Sequence, residues 1–215
     1  MPPGYSDRIN HALAFAAKHH DQQVRRGTRL PYWTQPANVA VILTRYGQDE
    51  NTVVAGILHD VVEDYVRDGY TPEMLDARIA DKFGRDVLGL ALAASRRRQD
   101  EEGVDLSSEE QRDDLLARLA AADERARWVC ASDTLHNVMT IVSDLRRTEY
   151  PEAVWGRFAA GREATIRSYR QLYDRLRAVG FSAPIMEELR AAVESLAAYS
   201  EPETRRTDYK PGARG

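Results

Sequence analysis

The chain has 215 residues, 43% hydrophobic and 30% charged, with a formal net charge of -4. That size and balance predict one well-buried domain over residues 1–200, and the slight acidity argues against a general nucleic-acid binder, which carries a clear excess of Lys and Arg. A single cysteine, Cys130, excludes an internal disulfide, and the absence of an N-terminal or long apolar run predicts neither secretion nor membrane insertion, so the expected compartment is the cytoplasm.

In chain order the signals are almost entirely helical. Ser6 caps a helix with an apolar face of Ile9, Leu13, Ala16 and Ala17, running to about His20 before a charged turn from Asp21 to Leu30. Pro36 opens a second helix that stops at Gly47, and Asp49 caps a third carrying Val54, Ile57, Leu58, Val61 and Val62. Thr71-Pro72-Glu73 opens a helix toward Phe83, Gly84 turns the chain into another over Val87 to Ser95, and Arg96 to Asp105 is a polar loop. Ser107 and Glu110 have capping-box spacing for a helix to about Ala122, and Asp123 begins a long one through Trp128, Leu135, Ile141 and Leu145. Pro151 starts a helix extending toward Val179, Pro184 a last one to about Tyr199, and residues 201–215 read as a mobile tail rich in charge, Gly and Pro. No strand pattern stands out, so the expected fold is all-α, with about nine or ten helices.

The strongest chemical signal is Leu58-His59-Asp60-Val61-Val62-Glu63-Asp64. At about 100° per residue, positions 59, 60, 63 and 64 fall within roughly 140° of one another, beside the apolar stripe of their own helix. An imidazole and three carboxylates there are costly to desolvate unless a cation or a cleft compensates. The second signal is Asp133, Asn137 and Thr140, whose spacings of four and seven place a carboxylate, an amide and a hydroxyl on one face of the long helix. Leu135, Val138 and Ile141 leave Asp133 little room to be solvated, so it needs a partner.

The order Gln23-Val24-Arg25-Arg26-Gly27, Pro31-Tyr32, Pro36 with Val39-Ala40, Leu58 to Asp64, then Asp133-Thr134-Leu135-His136-Asn137 resembles the HD-domain hydrolases of the RelA/SpoT type, in particular the single-domain small alarmone hydrolases. The resemblance covers roughly residues 6 to 175. It implies a compact helical HD fold that holds one divalent ion, usually manganese, and removes pyrophosphate from the 3′ position of guanosine tetra- or pentaphosphate, the alarmones of the stringent response. With no room for a synthetase domain afterwards, hydrolysis alone is expected. By matching positions, His59, Asp60 and Asp133 are the implied metal ligands, Glu63 and Asp64 the acids beside the attacking water, and Arg25, Arg26, Asn137 and Thr140 the groups that meet the nucleotide. These types suit their implied roles. Imidazole and carboxylate oxygens bind a manganese-like ion, and guanidinium groups stack on a purine and fork onto phosphate.

One position departs from the family. A histidine is expected immediately before Pro36, where this chain has Gln35, a neutral donor that binds transition metals more weakly than imidazole. Three readings follow: a weakened enzyme with Gln35 or a water as the fourth ligand, a sensor that binds the nucleotide without cutting it, or a deliberately altered ligand. A phosphatase acting on another nucleotide, such as NADPH, is a further alternative. Tyr169 and Arg162 are weaker candidates for substrate contact, Arg96, Arg97 and Arg98 a solvated run at the cleft rim, and Cys130 and the tryptophans packing residues. His11, His19, His20 and His136 read as surface or satisfied core residues, with His20 the closest in sequence to the basic loop.

Overall fold

The computed structural model describes residues 4–63, 71–100 and 102–199. Within them the chain forms ten helices and no strand: α1 (Asp7–His19), α2 (Thr34–Arg45), α3 (Glu50–Glu63), α4 (Pro72–Phe83), α5 (Arg85–Ala94), α6 (Ser108–Ala121), α7 (Glu124–Arg147), α8 (Pro151–Trp155), α9 (Gly161–Ala178) and α10 (Ile185–Ala197). Asp64 and the expected tail at 201–215 lie outside the described residues.

Helix starts follow the side chains the sequence offers. Ser6 accepts a hydrogen bond from the Ile9 amide at 3.1 Å, Asp49 from the Thr52 amide at 3.1 Å and Asp123 from the Arg125 amide at 2.8 Å. Ser107 and Glu110 close a reciprocal capping box. Each cap satisfies amides that no helical carbonyl can reach, worth about 1 kcal/mol apiece.

Two helices organise the rest. From Thr52 to Val62 every residue of α3 is buried, and it packs against α1, α2, α4, α5 and α7. The 24-residue α7 touches α2, α3, α5, α8, α9 and α10. Burial of Val53, Val54, Ile57, Leu58 and Val61 on α3 contributes about 1.5–3 kcal/mol for each side chain. α2 and α3 approach so closely at Gly56 that an added methyl would strike Leu43 Cδ1 and lie 3.2 Å from Val39 Cγ1.

Two boundaries differ from the sequence expectation. α2 begins at Thr34 rather than Pro36, so the proline falls inside the first turn, where no helical bond to its nitrogen is missed. Gln35 therefore belongs to the helix and is fixed by it. The single helix expected from Pro151 toward Val179 is instead two, α8 and α9, separated by residues 156–160. Gly156 and Gly161 bracket the break, and each lowers helix propensity by about 1 kcal/mol relative to alanine. The turn holds itself through Phe158 N to Trp155 O at 3.0 Å and Gly161 N to Phe158 O at 3.0 Å.

Candidate active site

α3 and α7 cross with their polar positions facing. His59 Nε2 lies 3.1 Å from Asp60 Oδ1 and 3.6 Å from Asp133 Oδ1, so the imidazole and carboxylate of one helix meet the lone aspartate of the other. Gln35, from the first turn of α2, donates its amide NH to the same Asp133 oxygen. Asn137, one turn along α7, donates to it as well at 2.8 Å. His59 and Asp60 are buried, while the Asp133 side chain keeps 27% of its exposure and opens toward solvent. His59 Nδ1 is 2.8 Å from the Gly56 carbonyl, which can only accept, so Nδ1 carries a hydrogen and Nε2 is turned to the acids. Burial works against a charge on His59. The Asp60 and Asp133 carboxylates outweigh it and raise the imidazole well above its ordinary value.

These residues floor a cleft of about 460 Å³, within the ordinary range for a small-molecule site. Glu63 sits beside them at the end of α3. Burial raises its pKa and so does Asp60, against the Arg96 guanidinium and the Arg96 backbone N–H, which donates to Glu63 Oε2 at 3.1 Å. Arg25 lines the opposite side and donates to Asn137 Oδ1 at 3.4 Å, which makes Asn137 a bridge between the basic loop and Asp133. Thr140 lines the cleft too, but its hydroxyl hydrogen is given to the His136 carbonyl at 2.8 Å, leaving its oxygen to accept.

The structure sorts the weaker candidates. Tyr169 reaches the cleft, whereas Arg162 donates to the Tyr199 carbonyl and covers the Trp155 ring, a packing role. Arg96, though exposed, lines the cleft in electrostatic reach of Glu63 and Asp133, and with Arg97 and Arg98 it also borders a neighbouring hollow. Cys130 is buried as expected and forms part of the floor. His20 is fully buried against the Tyr32 ring, within electrostatic reach of Asp60. Arg112, Asp144 and Arg157 line the cleft as well, and nothing in the local sequence marks them, since each is one charge in a region rich in charge.

Comparison with known proteins follows the same lines. Residues 12–165 match the family model described as HD domain, which is more than half the chain. This chain belongs to the HD domain family. A guanosine-3′,5′-bis(diphosphate) 3′-pyrophosphohydrolase of Aquifex aeolicus is 32% identical over 139 residues, 65% of this chain and 18% of that protein. A probable GTP pyrophosphokinase of Mycobacterium leprae is 33% identical over 133 residues, 62% of this chain and 16% of that one. The HD domain chain thus spans less than a fifth of the length of these relatives. Among solved structures, a metazoan ortholog of SpoT that hydrolyzes ppGpp shares the fold, with a TM-score of 0.68 at 24% identity, covering 89% of this chain and 97% of that one. A Listeria monocytogenes protein gives a TM-score of 0.60 at 26% identity, over 74% and 96%.

HD domain hydrolases use divalent metals. No ready-formed cage of three or more His, Cys, Asp and Glu side chains is present among the described residues of this HD domain, and the Gln35 amide donates to Asp133. The donors nonetheless suit a cation. Gln35 Oε1, His59 Nε2 and Asp60 Oδ2 are buried and take no hydrogen bond among the described residues. Neighbouring donors around an ion with bonds near 2.1 Å lie about 3.0–3.4 Å apart, close to the His59–Asp60 and His59–Asp133 separations. The carboxylates that hold a proton on His59 are those that would hold a metal there.

A pH dependence follows with a definite sign. The raised His59 value favours the protonated ring, so a metal must compete with a proton, and affinity rises with pH, by at most about tenfold per unit. It levels off once the pH exceeds that raised value. Calorimetric titration with manganese between pH 6 and 9 should show this slope together with proton release; a flat profile would place His59 outside the site.

Proposed function

We propose that this chain is a metal-dependent phosphohydrolase that removes pyrophosphate from the 3′ position of guanosine tetra- or pentaphosphate in the cytoplasm, with residues 1–200 as its single domain. The arrangement of the cleft carries this reading. An imidazole and carboxylates form its floor while Arg25, Arg96 and Arg112 stand in its walls, the pattern needed by a polyanion whose reacting phosphate must sit at a cation. The name of the Aquifex aeolicus relative supports the substrate.

His59, Asp60 and Asp133 would hold the ion, with Gln35 as a weaker fourth donor. A bound divalent ion such as manganese would draw charge off the phosphoryl oxygens and make water easier to deprotonate. Glu63, with its raised pKa, takes the proton from the attacking water, a role for which burial prepares it. Asp64 is assigned to the same proton transfer. Arg25 and Arg26 bind phosphate oxygens or the purine face, the Asn137 amide hydrogen-bonds ribose or phosphate, and the Thr140 oxygen accepts from a ribose hydroxyl.

A second reading is favoured by one contact. Gln35 donates to Asp133 where a cation would otherwise be held, as expected of a protein that keeps the nucleotide without hydrolysing it. Incubation with manganese and guanosine tetraphosphate separates the two. Release of pyrophosphate in proportion to enzyme supports the hydrolase, and tight binding with no product supports the sensor.

A further inference from the structure

The loop between α1 and α2 bears Arg25, Arg26 and Arg29, and it is folded rather than slack. The Arg25 amide donates to the Leu30 carbonyl at 2.9 Å, the Thr28 amide to the Arg25 carbonyl at 3.0 Å, and Val24 pairs with Pro31 as an isolated bridge. These bonds shape the loop but do not fix it to the body of the protein. Two attachments do: the long Arg25–Asn137 contact at 3.4 Å and the turn after α8. The Arg157 side chain donates to Asp144 of α7, and its carbonyl accepts from Arg26 Nη1 at 3.2 Å. Its aliphatic stem passes directly beneath Gly27. A methyl added there would lie 2.6 Å from Arg157 Cγ and 2.7 Å from Cδ and Nε. Gly27 also has φ 71°, a conformation that side-chain-bearing residues rarely adopt. Arg157 Nε is buried with no hydrogen-bond partner among the described residues, closed in under the loop.

We infer that Arg157 is a positioning residue that pins the Arg25–Arg26 loop across the cleft, with Gly27 as the seat that lets the guanidinium stem pass. The pairing with Asp144 serves two ends. It holds Arg157 at the right height, and it offsets an acid that would otherwise repel an anionic ligand from the cleft wall. The consequence for binding rests on the nucleotide reading above; the attachment of the loop does not.

Two measurements test this on the full chain, and they fail separately. Limited trypsin digestion followed by mass spectrometry reads cleavage after Arg25 and Arg26 without any ligand. Releasing the pin in Arg157→Ala, or unseating it in Gly27→Ala, should speed those cuts by about tenfold relative to cuts elsewhere in the chain. Loss of loop order should also weaken guanosine tetraphosphate binding by about tenfold and raise KM, with kcat changed less than threefold. Arg157→Lys, which keeps charge and stem but not the fork, should recover part of both effects. Cleavage in both variants at the wild-type rate overturns the proposal. A wild-type chain that ignores guanosine tetraphosphate overturns the nucleotide reading instead, and the digestion still decides the pin.

Discussion

Gln35→His should raise divalent-metal affinity by at least the roughly 10–100-fold typical of changes around metal ligands, and turnover with it. The substitution removes the amide donor that now holds Asp133 Oδ1, replaces an amide oxygen by an imidazole nitrogen, and keeps the position in the first turn of α2. The gain should be largest for ions that favour nitrogen ligands and smallest for magnesium, because one imidazole with three oxygen donors is a hard set and two imidazoles are not. Titration of manganese, zinc and magnesium into both proteins checks this. Equal affinities for all three ions before and after the change would show that Gln35 takes no part in holding metal.

Glu63→Gln should lower turnover by about 10²–10⁴-fold, the usual worth of a positioned general acid or base, while sparing metal affinity. The amide can still accept the Arg96 backbone N–H that Glu63 Oε2 now accepts, so the local fold is kept. Stability should hold or rise slightly. Burial raises the Glu63 pKa in the folded state, so at neutral pH its ionised form opposes folding, and a neutral amide removes that cost. Single-turnover kinetics beside metal titration and thermal melting reads all three quantities. Loss of metal with unchanged chemistry per bound ion would make Glu63 a ligand rather than a proton carrier.

The centre of this site was legible because its residues stand close in sequence and on helices whose period the apolar residues reveal. His59, Asp60 and Glu63 follow from the burial pattern of α3, and Asp133 from the crowding of Leu135, Val138 and Ile141 around it. The walls were harder to read. Arg112, Asp144 and Arg157 reach the cleft only through tertiary packing, and in a chain with 30 Lys and Arg and 34 Asp and Glu a single charge carries no local signal. Arg96 illustrates the difficulty: three arginines in a row look alike, yet among them only Arg96 lines the cleft, beside the Glu63 carboxylate that its backbone N–H reaches. The division of α8 from α9 was missed for a related reason. The apolar spacing continues across Gly156 to Ala160, and the turn there serves to deliver Arg157 rather than to interrupt a pattern.

The methyl-free contact at Gly56 has a mechanical consequence. With Leu43 and Val39 pressed onto the backbone of the neighbouring helix, the two rods can neither slide nor draw together to suit a donor of different reach. A different donor at residue 35 would therefore have to be accommodated chemically, through another ion or an interposed water, rather than by a shift of the helices. Alanine at position 56 would act as a wedge, disabling the centre from a place that touches neither nucleotide nor metal.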